Sequence, residues 1–440
     1  MSQTLDLLRV LRVGATEQAH TKGVGLEIMY PRVAGIDVGK KIVAVAVRTP
    51  GDRPGERQQQ VRKFKTFYPV LLQMVGWLVG HGVTHVAMEA TGVYWRPVFH
   101  ALCEAEHLEL LLVNARHVKN VPGRKTDAKD AEWLAELCEV GLLRGSFIPP
   151  AEIAAIREVT RYRKKLTEAR TSELQRLCKV LEDSGVKIDS VASSITTVSA
   201  RAMVEALIAG ERDARVLADL ARGVMRKKIP DLAMALQGRF GAHHALLARM
   251  HLEHVDQLSG MIQRLDGEID QVVAPFAEQV GLLRTIPGIG ERTAQVLIGE
   301  IGVDMSRFPT AEHLASWAGL CPGNNESAGK HRKAKTRKGN RELREALVEA
   351  AWAAGRTNTY LGARFRRLHR RFGKQGGSKA AVAIAHNLLV IVWFVLHDRA
   401  GYRDLGADWF TRHDNPDAKK RRLIRELQTL GYTVDLTPAA

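Results

Sequence analysis

The chain has 440 residues, of which 45% are hydrophobic and 26% charged, a composition typical of a globular protein with about two or three domains. Its 65 lysines and arginines outnumber its 48 acidic residues and leave a formal charge of +17, which predicts a polyanionic partner, most often nucleic acid. Its four cysteines are far apart and form no CxxC pair, which excludes a zinc knuckle and a disulfide framework and favours a reducing cytoplasm.

Residues 1–32 are expected to form a loosely ordered lead-in, because they show no sustained hydrophobic period. They also lack a continuous apolar stretch followed by a small-residue cleavage site, so we do not expect a signal peptide. The expected location is therefore the cytoplasm.

Residues 33–150 alternate short apolar runs with helical patterns, which predicts an α/β domain. Strands are expected at 33–37, 42–48, 61–67, 84–89 and 108–113, and helices at 68–81, at 94–106 and from 126. This order of three strands followed by alternating helices and strands is that of the ribonuclease-H-like fold with a mixed sheet. Other α/β folds share the same order.

Residues 151–274 are expected to form a long helical, coiled-coil-like middle region. In 151–183, apolar residues at helical spacing lie among many lysines, arginines and glutamates, a pattern typical of a coiled-coil seam. Such an arm could link two domains and support dimerisation. A helical bundle with no oligomeric role explains the pattern equally well.

Residues 275–400 are expected to form a mainly α-helical domain, followed by a basic tail at 401–440. Residues 283–301 read as a helix, the turn Pro287–Gly290 and a second helix, which resembles a helix-hairpin-helix whose N–H groups could bind a phosphate. A plain αα-hairpin is the alternative. The most apolar run, 380–396, is too short for an ordinary membrane span and is predicted to be a buried helix.

A stretch rich in glycine, proline and asparagine, 317–330, is predicted to be a loop that leads into a strongly basic segment. Nucleic-acid contacts are expected from Lys330, Arg332, Lys333, Lys335, Arg337, Lys338 and Arg341. Two further basic clusters lie at 364–374 and 419–422. A single basic run is usually a solvated surface, but several in a chain of this charge favour contact with phosphates.

Four carboxylates are predicted to meet at one edge of the sheet. Asp37 ends the first strand, Glu89 ends the fourth, and Asp127 and Asp130 lie three residues apart at the start of a helix. Taken alone, the last two could simply cap that helix. Four converging carboxylates would repel one another without a cation, and hard oxygen ligands favour Mg²⁺ or Mn²⁺. We therefore predict a metal site suited to phosphodiester chemistry.

Several motifs carry a family resemblance. The segments Gly35–Lys40 (GIDVGK), Met88–Gly92 (MEATG) and Lys125–Ala131 (KTDAKDA) resemble the DEDD transposases of bacterial insertion sequences, the IS-one-ten family, which includes the Piv/MooV DNA invertases. Residues 286–330, with the motifs IPGIG and SAGK, are similar to the transposase domain of that family. The resemblance covers 33–150 and 280–355, and the helical middle is similar only in character.

The resemblance implies a RuvC-like domain joined to a domain that carries a catalytic serine. By position, the implied metal ligands are Asp37, Glu89, Asp127 and Asp130, and the implied nucleophile is Ser327, which would form a covalent phosphoserine intermediate with DNA. The resemblance also implies a structured bridge RNA that pairs with target and donor DNA. Two homodimers would assemble into a tetramer, with an active site shared between subunits and with no membrane partner. Such a protein would be associated with the bacterial nucleoid when it acts.

The sequence around Ser327 contains no evident His/Asp triad, so a metal would have to activate its weakly nucleophilic hydroxyl. Lys330 and Arg332 could offset charge that develops on the phosphate. An ordinary loop serine is the alternative, and Ser316, in a predicted helix, is a second candidate. Two other functions stay open from the residues themselves: a RuvC-like nuclease that hydrolyses DNA with water, and a non-enzymatic nucleic-acid-binding protein.

Overall fold

The structure, a computed structural model, describes residues 27–53, 55–90, 92–114, 130–322, 326–327, 330–331, 336–373, 376–413 and 416–436. Most of the predicted lead-in lies outside these residues. The chain forms two compact units, Met1–Ile148 and Pro149–Ala440.

The first unit is built on a five-stranded mixed sheet in the order β3-β2-β1-β4-β5. Its strands are β1 (Val33–Val38), β2 (Ile42–Pro50), β3 (Arg57–Lys65), β4 (His85–Glu89) and β5 (Glu109–Val113). The first three strands form an antiparallel meander, whereas β1, β4 and β5 run parallel. The predicted mixed α/β sheet is confirmed, and its architecture is compatible with a ribonuclease-H-like fold.

Different helices cover the two faces of this sheet. The helices are α1 (Tyr68–Gly80), α2 (Trp95–Cys103) and α3 (Asp130–Glu139). In β1, Ile36 belongs to the core cluster under α1 and α2, while Val33 belongs to the cluster that includes Ala135 of α3. Successive side chains of a strand point to opposite faces, and both faces are covered here. This double burial explains why the start of β1 reads as a continuous apolar run.

The third strand was predicted at 61–67, and those bounds were wrong. β3 runs over Arg57–Lys65 and pairs with β2 from Arg57, opposite Pro50, to Lys65, opposite Ile42. It lies at the edge of the sheet, and nearly all of its residues are exposed or partly exposed. Backbone pairing with β2, rather than burial of its side chains, therefore determines its length.

Gly35 allows α3 to pack directly on β1. A Cβ at this position would lie 2.9 Å from the Cβ of Leu134 and closer still to backbone atoms of Ala131 and Ala135. We expect Gly35→Ala to lower the free energy of unfolding by about 3 kcal/mol, because α3 would have to move away from the sheet. Chemical denaturation of the purified protein measures this change.

Gly76 in α1 provides a matched control for that measurement, because a Cβ there would meet no atom within 4 Å. Gly76→Ala should raise the stability by about 0.5–1 kcal/mol, as expected for an exposed helix interior. Equal stability of the two alanine variants would contradict the close packing of α3 on β1.

The second unit begins with two long helices joined by short ones. They are α4 (Ala151–Asp183), α5 (Ile188–Val191), α6 (Val198–Ala209), α7 (Ala214–Asp219), α8 (Ile229–Ala235) and α9 (Ala242–Val273). α9 runs antiparallel to α4. The end of α4 meets the start of α9, with 3.1 Å between Asp183 and His244, and Arg163 lies 3.1 Å from Asp266 further along. Part of the seam predicted in α4 is thus occupied by α9 of the same chain, and an oligomeric role stays a prediction.

The rest of the second unit is mainly helical. Its helices are α10 (Ala277–Arg284), α11 (Glu291–Ile301), α12 (Ala311–Trp317), α13 (Arg341–Gly355), α14 (Tyr360–Phe372), α15 (Gly377–Asp398), α16 (Trp409–Arg412) and α17 (Pro416–Thr429). Among the described helices, α15 alone is long and apolar enough to cross a membrane, and 56% of its apolar window is buried inside the protein. It packs against α10, α12, α13 and α14, so the predicted buried helix is confirmed.

The predicted helix, glycine turn and helix at 283–301 correspond to α10, a turn and α11. Gly288 has a φ of +90°, which favours glycine. A Cβ there would also lie 2.8 Å from the backbone nitrogen of Ala354 in α13. Close packing on α13 therefore accounts for this glycine. Phosphate binding by the turn stays a prediction.

Candidate active site

Asp37 and Glu89 lie side by side at the carboxyl ends of neighbouring parallel strands. The β1–β4 ladder pairs Gly35 with Ala87 and Ile36 with Met88, so each carboxylate follows the last of these pairs. Gly35 and Ala87 face α3, and residues two positions further along a strand point to the same face. Both carboxylates are therefore on the side of the sheet that α3 covers, with Asp37 exposed and Glu89 half-buried.

Asp130 reaches the same edge from α3. The end of this helix lies near the start of β1, because Glu139 accepts backbone hydrogen bonds from Met29 and Tyr30. Its first turn, at Ala131, packs on Gly35, so the helix runs opposite to β1 and its N-terminus lies at the carboxyl edge. Asp130 is the first residue of α3, and its Oδ1 atom is buried.

Three of the four predicted carboxylates thus converge on one edge of the sheet. Asp127, the fourth, lies outside the described residues. A set of carboxylate oxygens, one of them buried, has the donor chemistry that Mg²⁺ and Mn²⁺ require. The residues present therefore fit a divalent metal. The helix dipole of α3 also favours a carboxylate at Asp130, so capping and metal binding are compatible there.

The orientation of α3 depends on Glu139, which sequence reasoning missed. Its carboxylate is nearly buried and forms an ion pair of 3.0 Å with Arg48 of β2 and another with Arg57 of β3. A buried charge with two guanidinium partners holds the end of α3 against the sheet. The sequence gives only a weak indication that Glu139 is buried: it follows Cys138, which lies on the buried side of the helix.

Ser327 was predicted to lie in a loop, and the structure places it in a two-residue strand of a short β-hairpin. β6 (Glu326–Ser327) pairs antiparallel with β7 (Lys330–His331), and Ser327 is opposite Lys330. An isolated bridge between Pro322 and Thr336 closes the segment. Glycine and asparagine are as typical of a hairpin turn as of an irregular loop, which is why composition could not separate the two. Ser316, the second candidate, lies on the exposed side of α12.

Three of the predicted nucleic-acid contacts lie in the described part of the chain that follows this hairpin. Arg337, Lys338 and Arg341 are exposed, and Arg341 forms an i,i+4 ion pair of 2.7 Å with Glu345. Arg332, Lys333 and Lys335 lie outside the described residues, and only the backbone of Lys330 is described. In the second predicted cluster, the arginines of α14 form a strongly basic exposed surface that includes Arg366, Arg367, Arg370 and Arg371.

A second group of possible metal ligands, Asp183, His243 and His244, lies where the end of α4 meets the start of α9. Nδ1 of His244 accepts the N–H of Gly241 at 3.0 Å, so the proton of a neutral ring is on Nε2, which lies 3.1 Å from Asp183. A metal on Nε2 would disrupt this helix cap. Capping of α9 therefore explains the contact between His244 and Asp183, and this group was not predicted from the sequence.

Two separate segments of the chain match families of transposases. Residues 280–366 match a family described as "Transposase IS116/IS110/IS902 family", and residues 34–185 match one described as "Transposase". A probable family 20 transposase of Pseudomonas aeruginosa is 27% identical over 72% of this chain and 85% of its own length. A 42 kDa protein of insertion element IS900 from Mycobacterium paratuberculosis is 27% identical over 69% of this chain and 80% of its own. The pilin gene-inverting protein of Moraxella bovis is 34% identical over 33% of this chain and 46% of its own.

Proposed function

Because the chain belongs to the IS110 family of transposases and is a DNA transposase, we propose that it cuts and rejoins DNA through a covalent intermediate on Ser327. The observation that carries the proposal is the convergence of Asp37, Glu89 and Asp130 on one edge of the sheet. These carboxylates, with Asp127, would hold Mg²⁺ or Mn²⁺. A metal bound there would supply Lewis-acid stabilisation of phosphate oxygens and a lower pKa for the attacking hydroxyl.

In the proposed reaction, Oγ of Ser327 attacks the phosphorus of a DNA phosphodiester. A P–Oγ bond forms, the bond from phosphorus to one sugar oxygen breaks, the serine loses its proton, and the sugar oxygen takes one up. A hydroxyl of the other DNA strand then attacks the phosphoserine and releases Ser327. Each step exchanges one phosphate ester for another, so rejoining requires no nucleotide hydrolysis. The exposed cations Arg337 and Lys338, which follow the hairpin in the chain, are suited to binding the DNA backbone.

The test is to trap the intermediate. Wild-type protein incubated with end-labelled DNA of its insertion element and Mg²⁺ should give a protein–DNA adduct that survives denaturing electrophoresis. After nuclease and protease digestion, mass spectrometry should place the phosphate on Ser327. Cleaved DNA with no adduct under these conditions would instead support the alternative function, a nuclease that hydrolyses with water.

We also propose that a structured bridge RNA selects the target and donor DNA. The charge of +17, with 6% aromatic residues, suits a protein that binds nucleic-acid backbones while base pairing reads the sequence. We expect protein stripped of RNA by ribonuclease and high salt to lose recombination by about 100-fold or more, and added bridge RNA to restore it. Full activity on naked DNA would contradict the RNA guide.

The carboxylates lie in the first unit of the chain and Ser327 in the second. We propose that a complete active centre takes the carboxylates from one subunit and the serine from another, within a tetramer made of two homodimers. The α4–α9 arm is the candidate dimerisation element.

A further inference from the structure

Glu300, near the end of α11, is a carboxylate with no exposed surface. Both of its oxygens are hydrogen-bonded. Arg161 donates from Nε to Oε1 at 2.7 Å and from Nη2 to Oε2 at 2.8 Å. Asn340 donates from Nδ2 to Oε2 at 2.6 Å. This bonding compensates a buried charge that would otherwise be costly.

Two arginines of α4 attach this helix to the end of α11. Arg161 binds the Glu300 side chain, and this hydrogen bonding raises the pKa of Arg161. Arg157 donates to the backbone carbonyl oxygens of Gly299 and Glu300, at 2.8 Å each. The carbonyls at the end of α11 are therefore satisfied by α4, which gives Glu300 a rigid support.

Asn340 connects Glu300 to α13. Its Oδ1 accepts the N–H of Leu343 at 3.2 Å as the N-cap of α13, while its Nδ2 donates to Glu300. One end of an amide accepts and the other donates, so these two contacts fix its orientation.

Asn340 is also the last residue of the two segments that lie at the base of the Ser327 hairpin. We call residues 318–322 and 336–340 the hairpin base. Gly319 has a φ of +73°, and a Cβ there would lie 2.7 Å from the carbonyl oxygen of Arg337. A Cβ on Gly339 would clash with the backbone of Ala318 and Gly319. The two sides of the base are therefore in backbone contact, and Asn340 fixes one of them.

We propose that Glu300 and Asn340 are positioning residues for Ser327: they fix the hairpin base and so determine where the serine is presented. The inference rests on the proposed role of Ser327. Stability alone gives little reason for this arrangement, because apolar side chains of similar volume often replace buried ion pairs without loss. Precise placement of a nucleophile gives a stronger reason, because a displacement of about 1 Å can slow a reaction about 100-fold.

The test uses full-length Asn340→Ser, because serine keeps a side-chain oxygen for the N-cap but cannot donate an amide N–H to Glu300. We expect about tenfold faster hydrogen exchange at the amides of 326–331 and about tenfold slower adduct formation, with DNA affinity unchanged. Asn340→Asp should have a larger effect, because it places a second carboxylate against Glu300.

Thr197→Ala is the control, because it removes the N-cap of α6, where Thr197 accepts the N–H of Ala200. It should leave both the exchange of 326–331 and the rate of adduct formation unchanged. If exchange and rate are also unchanged in Asn340→Ser and Asn340→Asp, the positioning role is overturned. If wild-type protein forms no adduct on Ser327, the proposed nucleophile fails instead, while the exchange measurement still tests the anchoring of the hairpin.

Discussion

Asp37→Asn is expected to slow adduct formation by about 10³-fold, equivalent to about 4 kcal/mol of transition-state stabilisation. Asparagine has nearly the same shape as aspartate but lacks its charge, so a divalent metal loses a ligand that also balances its charge. Asp37 is exposed at a strand end, so the sheet should fold normally. Glu89→Gln, on the neighbouring strand, should have an effect of the same order.

The assay measures adduct formation at saturating DNA, with chelator, Mg²⁺ or Mn²⁺ added separately. Chelator should abolish the adduct in wild-type protein, and either ion should restore it, while DNA binding persists throughout. Glu109→Gln is the matched control. This exposed glutamate begins β5, at the edge of the sheet opposite to the carboxylates, and forms an ion pair with His85. A fully active Asp37→Asn protein would mean that the carboxylates are structural.

The placement of Asp37 and Glu89 could be predicted because it depends on local information. Each carboxylate follows a short apolar run with a strand pattern, and parallel strands place their carboxyl ends at one edge of a sheet. The contribution of Asp130 required one further step, the direction of α3. The contact of Gly35 with the first turns of α3 shows that direction in the structure. In the sequence, a single glycine in a strand does not indicate which helix packs on it.

The hairpin and its support could not be predicted, because they depend on residues far apart in the sequence. Glu300 binds Arg161, 139 positions earlier, and Asn340, 40 positions later. Nothing in the sequence around Glu300 separates a buried glutamate from a solvated one. Likewise, pairing with β2 rather than burial determines where β3 begins. The bounds predicted for β3 from its hydrophobic pattern were therefore wrong.

Ser327→Ala should abolish the denaturant-stable adduct, because alanine has no oxygen with which to form the phosphate ester. DNA affinity should stay within about twofold of wild type, since the basic side chains that contact phosphates are unchanged. Ser316→Ala is the matched control: it removes a hydroxyl from the exposed side of α12, in the same unit, and should leave the adduct intact. An adduct that persists in Ser327→Ala and disappears in Ser316→Ala would reassign the nucleophile.

The two inactive variants can be combined to locate the active centre. Asp37→Asn retains its serine, and Ser327→Ala retains its carboxylates. If each centre combines carboxylates and serine from different subunits, a randomly reassociated mixture of the two variants contains intact centres in about one quarter of its sites. The mixture should therefore regain about one quarter of wild-type adduct, carried on the Asp37→Asn chain alone. If each subunit forms its own centre, the mixture stays inactive, because each subunit then lacks either a carboxylate or the serine.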